Sequence, residues 1–599
     1  MISRVSRKRF SLVNFAVIPL FPLILYQIVR LTVQNQDFLV EQAKRQHNLL
    51  IQIEPERGAI LDRNFKELAT NLNVPSIYAV PREIKEKERA KLVNQLTGIL
   101  NLPPVFLDER FSRAKDFVWL KRRASFTEAD EIREMGSRNI GIQYEPKRFY
   151  PNGKMLSNTI GFCDVDNVGL EGLELVYQDH LKGRLGFRRT KRDARGREIV
   201  ALEEELVPAV DGSDLVLTID QYIQHVTEQA LDRAFERWQA KGAVAVVMNP
   251  KTGEILALSS RPSFDLNELM ESQAGDRRNR AITDMFEPGS VFKIVTIAAA
   301  LNEGKVTLQD RINCEQGEWR ARRSRVVHDV HPYGELMVAD VLIHSSNIGT
   351  VKIAMRLGEQ KFYQYIRKFG FGEKTGIDFP GEAAGILRPV GQWSKFSITS
   401  IPYGQEVAAT AIQMLRAISV FANGGRLVRP YLLREVRDRQ DVVLLKNRPH
   451  VSEPILEPDV VQSMGELLEH AVSEGTGKKA IIDGIRVAGK TGTAQKLEPD
   501  GRYSHRHFVG SFIGYAPADD PLLAMMVAID DPKPSYYGGT VAAPVFQEVI
   551  ERSLLYLGRV PREGGTGRIK KVFVRASGSE PQLPKSPPRD FQGASLQVR

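Results

Sequence analysis

From Phe10 to Val29 the chain runs FSLVNFAVIPLFPLILYQIV without a charge, about one bilayer thickness of helix. Beyond it no comparable apolar run occurs, and the pattern turns to that of folded, water-facing protein. Leu31 to Ile53 reads as a polar helix leading away from the apolar run, and Arg57 to Ala69 as strand, tight turn and strand, with Asp62-Arg63-Asn64 as the turn signal. A mixed helix and strand pattern follows to about Pro208, including a basic hairpin-like run at Phe187 to Glu198 that reads as a solvated face.

Loop composition over Leu206 to Asp214 separates this region from a longer one. There, a helix over Gln221 to Lys241 precedes an apolar strand, Ala243 to Met248, a turn at Asn249 to Gly253, and a second strand, Glu254 to Ser259. Mostly helical patterning runs from Ser290 to Asn423, strands return at Ile485 to Gln495, His507 to Tyr515 and Leu522 to Ile529, and an amphipathic helix closes at Ala542 to Leu557. Two strands early, helices between and three strands late predict one α/β sheet assembled from both ends of the region, with helices on its faces. The expected divisions are 1–9, 10–29, 30–208, 214–558 and a disordered basic tail, 559–599, rich in Pro, Gly and Ser.

Length and composition narrow this picture. A chain of 599 residues exceeds one ordinary core, and 42% hydrophobic with 26% charged residues is typical of folded protein. Arg4, Arg7, Lys8 and Arg9 precede the apolar run, which predicts a cytoplasmic N-terminus and a catalytic portion outside the membrane. A cleaved signal peptide is the rival, but Arg30 to Asp37 offers no small-residue cleavage pair. The net charge of +10 comes with no zinc spacing, aromatic RNP pattern or phosphate loop, so nucleic acid is not an expected partner. Two cysteines, Cys163 and Cys314, predict no disulfide framework.

Candidate chemistry lies in three short motifs, each of which recurs. S-x-x-K occurs at Ser112/Lys115 and Ser290/Lys293, S-x-N at Ser137/Asn139 and Ser345/Asn347, and K-T-G from Lys251, Lys374 and Lys490. Context chooses among them. Ser290 follows Glu287-Pro288-Gly289 and opens an apolar helical run, whose N-terminus favours developing negative charge, and Lys293 lies one turn on along the same face. Ser112 sits in a charged stretch with no apolar face.

A serine hydroxyl needs an adjacent base, and lysine serves only when burial or another cation lowers its pKa. Lys490 supplies such a cation from an alternating strand, with Thr491, Gly492 and Thr493 beside it, whereas Lys251 and Lys374 are turn residues. Ser345 to Asn347 join two helical runs and can present a hydroxyl and an amide. His328 and His331 do not make a metal site on this reading, and no cofactor is expected.

The ordered set Ser290/Lys293, Ser345/Asn347 and Lys490/Thr491/Gly492 is a signature of penicillin-binding proteins and class A β-lactamases. With it, the chain resembles the class B penicillin-binding proteins from the apolar run to about Leu557. Arg57 to Ala69 is similar to that family's R-G-x-I-x-D-R-N-G-x-x-L-A motif, with Phe65 in place of glycine. Arg148 to Pro151 and Gly169 to Glu174 are similar to further family segments.

The resemblance implies a non-catalytic pedestal beneath a penicillin-recognising transpeptidase domain, made of a five-stranded antiparallel sheet with helices on both faces plus a helical lobe. It also implies roles: Ser290 as nucleophile, Lys293 as base, Ser345 with Lys490 as proton relay, and Asn347 on the stem amide. Thr491 and Thr493 would hold the terminal carboxylate. Implied partners are peptidoglycan stem pentapeptides, β-lactams as covalent inhibitors, membrane lipid, a SEDS-family glycan polymerase and other division proteins. Tyr536 to Phe546 and Arg148 to Gly153 look like the septal, cell-division branch, with elongation and sporulation branches as runners-up. A β-lactamase or carboxypeptidase, and a non-catalytic sensor or scaffold, are the competing functions.

Overall fold

A computed structural model describes residues 20–30, 48–113, 117–192, 198–199, 205–322 and 325–559. Of the apolar run, residues 20–29 are helical. No helix among the described residues is long and apolar enough to cross a membrane. The expected cytoplasmic stretch, residues 10–19 of the expected span, and the basic tail from residue 560 lie outside the described residues.

The second half is built on five antiparallel strands: β1 (Gly242–Met248), β2 (Ile255–Arg261), β3 (Ala488–Leu497), β4 (Tyr503–Ala516) and β5 (Leu523–Asp530), in the order β2-β1-β5-β4-β3. The early pair and the late trio thus join through β1 and β5, from Gly242 opposite Asp530 to Met248 opposite Ala524. Alternation along β1 sorts the side chains. Ala243, Ala245 and Val247 face a core built with α1 (Gln221–Arg237) and, near the end of the chain, a helix over Ala543–Tyr556. Val244, Val246 and Met248 face the opposite core, which holds α2 (Lys293–Asn302), α3 (Asn347–Leu357) and α4 (Ala411–Ala422). Asp220 caps α1 by accepting from the Tyr222 and Ile223 amides, and Thr410 with Gln413 forms a capping box on α4.

The first half carries a seven-stranded sheet. Its long strand, Glu67–Ala79, pairs with Ile140–Phe149 and Val118–Lys121. Ile60–Leu61 runs parallel to Asp214–Leu217, and that strand pairs with Leu433–Arg437, which in turn pairs with Val443–Lys446. Two strands of the pedestal sheet therefore come from deep within the second half, and one apolar core runs from Ile60 and Leu173 into the helices around α2.

The turn after Leu61 forms as the sequence predicts. Asp62 Oδ1 accepts the Asn64 and Lys66 amides, and Phe65 takes the left-handed conformation, φ 63°, that glycine usually fills. The Arg437 guanidinium over its ring, 4.7 Å from the centroid, covers the side chain that glycine would lack.

Three corrections stand against the sequence reading. Asn48–Ile53 is a strand paired with Gly186–Arg192, not the end of a helix, because its backbone finds partners more than 130 positions away, Ile53 opposite Gly186 and Asn48 opposite Lys191. The middle region contains two small hairpins, Glu318–Arg322 with Arg325–His328 and Arg311–Asn313 with Glu335–Met337, and a largely irregular stretch from Phe369 to Thr410. A helix over Pro458–Ser473 and the strand pair at 433–446 fall where no element was expected. Cys163 and Cys314 are free and buried.

Candidate active site

Gly289 to Phe292 form a 3-10 turn that runs into α2, so Ser290 stands at the start of a helix whose first residue is Lys293. The turn fits tightly against β3. Gly289 has φ 57°, and a Cβ there would lie 2.8 Å from the Thr493 carbonyl oxygen, so only glycine lets the nucleophile's turn approach the strand this closely. Across the contact a Cβ on Gly492 would meet Ser511 Oγ at 2.3 Å and Val291 Cγ2 at 2.8 Å.

Both lysines are fully buried. Lys293 Nζ donates to the Ser345 carbonyl and, at 3.1 Å, to Ser345 Oγ; Lys490 Nζ donates to the same Oγ at 3.1 Å and to the Thr491 carbonyl at 3.3 Å. Ser345 is thus a hydroxyl shared by two lysine amines, held at φ 63° in a conformation uncommon for a residue with a Cβ. Burial, and then the Lys490 charge, push the Lys293 pKa well below the ordinary lysine value, against a weaker upward pull from Asp329. Burial lowers Lys490 to about 7.

Asp329, which sequence reasoning missed, sets the Ser345-Ser346-Asn347 connection. Its carboxylate accepts from Ser346 Oγ at 2.6 Å, from the Ile348 amide at 3.0 Å and from the Asn347 amide, so it satisfies the first turn of α3. Ser346 caps the same helix through the Gly349 amide, and Asn347 Nδ2 donates to the His328 carbonyl at 2.8 Å. No motif spacing points to Asp329, since it lies 18 positions ahead of Asn347 on the turn after a hairpin.

The described geometry brings Ser290, Ser345, Asn347, Thr491 and Thr493 to one open cleft of about 750 Å³, with Lys293 and Lys490 in its floor. Thr491 Oγ1 lies 2.5 Å from Thr476 Oγ1, and Thr493 Oγ1 accepts from the Gly538 amide at 3.2 Å. The other motif copies lie elsewhere. Lys251 pairs with Asp520 at 2.8 Å on an exposed turn, Lys374 is exposed, and Ser112 Oγ donates to the Glu109 carbonyl, while Lys115 lies outside the described residues.

A serine at a helix start, in one cleft with two buried lysines, one on that helix and one on the edge strand of a five-stranded antiparallel sheet, marks the class of serine acyltransferases. Comparison with known proteins makes the class specific. The penicillin binding protein transpeptidase domain matches residues 243–551, and the penicillin-binding protein dimerisation domain matches residues 52–217. The chain belongs to the penicillin-binding protein transpeptidase family. Stage V sporulation protein D of Bacillus subtilis is 38% identical over 547 residues, 89% of this chain and 83% of that protein. The peptidoglycan D,D-transpeptidase FtsI of Escherichia coli is 30% identical over 580 residues, 94% of each. Penicillin binding protein 3 of the tubercle mycobacterium, solved with aztreonam, superposes with a TM-score of 0.67 at 27% identity, covering 85% of this chain and 98% of that one.

Proposed function

We propose that this protein is a membrane-anchored, penicillin-sensitive peptidoglycan D,D-transpeptidase, with its catalytic half outside the cytoplasmic membrane and its acyl-enzyme on Ser290. The observation that carries the assignment is Lys293: a fully buried amine, kept from its charged form by burial and by Lys490, at the third position after a serine on a helix start. Lys293 takes the Ser290 hydroxyl proton while Oγ bonds to the carbonyl carbon of the penultimate D-Ala. The oxyanion forms against the Ser290 and Thr493 amides, a stabilisation of about 3 kcal/mol per donor in other acyl-transfer enzymes. As the peptide C–N bond breaks, Ser345, bridging both lysines, passes a proton to the leaving D-Ala amine. An amine of a neighbouring stem then attacks the acyl carbon, gives up a proton, and frees Ser290. Asn347 aligns the stem amide, and Thr491 and Thr493 bind the terminal carboxylate. Glycan strands come from a partner polymerase of the SEDS family.

The hydrolytic alternative needs a carboxylate to activate water. Glu382, on the loop after Lys374, is committed to the Thr375 amide at 2.6 Å and the Gly376 amide at 3.1 Å, which argues against that use. For the cellular role, the 30% identity with FtsI over 94% of both chains supports septal synthesis, and the 38% identity with a sporulation protein supports a second reading.

A fluorescent penicillin should label Ser290 alone: Ser290→Ala abolishes labelling and Ser112→Ala leaves it intact, whereas label on another serine refutes the site. A reporter active only outside the cytoplasm, fused after Ala43, tests topology. Depletion tests the role, with filaments for septal synthesis, round cells for elongation, and normal growth with failed spores for sporulation.

A further inference from the structure

The cleft has one wall that the transpeptidase reading leaves without a task. The turn from Glu474 to Ala480 follows the helix Pro458–Ser473 and is locked in place: a Cβ on Gly475 would lie 2.4 Å from the Ile343 carbonyl oxygen, Ala480 is fully buried, and Thr476 Oγ1 meets Thr491 Oγ1 at 2.5 Å. Lys478 and Lys479 project from this turn as part of the cleft lining. Both are exposed, and neither ammonium group makes an ion pair or hydrogen bond among the described residues. The acidic side chain of that lining, Glu474, lies 2.8 Å from His470 Nδ1 rather than on either lysine. Two uncommitted ammonium groups therefore stand beside the strand that carries Thr491 and Thr493, above the two buried lysines.

Exposed lysines are commonly just solvated, and what distinguishes this pair is its place on a locked turn at the mouth of the cleft, beside the strand that carries Thr491 and Thr493. On the reading of Thr491 and Thr493 as the terminal-carboxylate site, a second anionic group on the same peptide, farther from its C-terminus, would meet Lys478 and Lys479. Lysine suits this task, since a point charge on a flexible stem accepts a carboxylate from several directions without demanding bidentate geometry.

We propose that Lys478 and Lys479 read a second, internal carboxylate of the stem peptide, so that the preferred substrate is a stem with that carboxyl free rather than amidated. The proposal rests on the transpeptidase assignment, and its test separates the two. Full-length protein in detergent is acylated with two thioester donor peptides that differ only in an internal carboxylate or carboxamide, alongside a penicillin with a neutral side chain. Exposed ion pairs are individually weak, so the parent should favour the carboxylate donor by about fivefold in kcat/KM. The double variant Lys478→Ala/Lys479→Ala should treat the donors alike, Lys478→Arg/Lys479→Arg should keep the preference, and penicillin acylation should stay within about twofold in both, since that ligand carries no second carboxylate.

A preference that survives the double alanine variant overturns the proposal, as does an equal loss on both donors, which would mean unspecific attraction, or a parent that does not discriminate. A parent acylated by neither donor nor by penicillin refutes the transpeptidase reading itself.

Discussion

The two halves of the molecule each bury charge completely, and they do opposite things with it. In the pedestal, Glu174 is fully buried between two arginines: Arg57 Nε donates to it at 2.7 Å and Arg148 Nε at 2.6 Å, while Arg57 also reaches Gln178 Oε1 and Arg148 the Gly58 carbonyl. Burial alone would raise the Glu174 pKa, but Arg148 and Arg57 outweigh it and hold the carboxyl below its ordinary value. In the cleft, Lys293 and Lys490 are as deeply buried with only a hydroxyl and carbonyls for company, and both are pushed toward the neutral amine. Burial with a counter-charge makes a structural fastener, and burial without one leaves an amine suited to act as a base.

The comparison breaks most strongly at Glu174. Glu174→Ala leaves two buried guanidiniums without their carboxylate, and should cost about 3–5 kcal/mol, read by urea unfolding. Lys490→Ala is the converse case. It removes the charge that, after burial, holds Lys293 neutral, so penicillin acylation should fall about a hundredfold, or about 3 kcal/mol, and its acid limb should move to higher pH. Lys251→Ala and Lys374→Ala should stay within about threefold.

Glu287 sharpens the contrast as an intermediate case. One oxygen accepts the Glu406 amide at 2.8 Å and the Tyr503 hydroxyl at 3.0 Å; the other is buried without a protein partner, and burial raises the pKa to about 7. A carboxyl whose folded pKa lies above its unfolded value stabilises fully below the unfolded value, near 4.5, and that stabilisation is lost as pH rises through about 7. Parent stability should therefore fall by up to about 2–3 kcal/mol between pH 4.5 and 8, a slope that Glu287→Gln flattens in a melting series. A smaller effect than these belongs to Asp329→Ala, though above that of the turn lysines: it uncaps α3 at a cost of about 1–2 kcal/mol and, by loosening Ser345, slows acylation about tenfold.

The residues that meet in the cleft were legible in the sequence because each motif is local: Ser290 and Lys293 lie one turn apart at a helix start, and Lys490 to Thr493 share a strand. Choosing Lys490 over Lys251 and Lys374 required only the alternation around it. What stayed hidden depends on partners distant along the chain. The family segments at Arg57, Arg148 and Glu174 were readable singly, but their convergence on one buried cluster, 117 positions apart between Arg57 and Glu174, was not. Asp329 escaped for the same reason. So did the strand at Asn48–Ile53, whose apolar positions suit a helix end until Gly186–Arg192 pairs with them.

The two strands at 433–446 also set an order of assembly. Asp214–Leu217 meets Leu433–Arg437 only after more than 200 further residues have left the ribosome, so the pedestal sheet spends that interval with one edge open. The first half is therefore made first, yet its sheet stays incomplete until most of the second half has been synthesised. Cutting the chain at the apparent linker before Asp214 would separate neither half cleanly, because each fragment would keep a strand edge whose partner lies in the other.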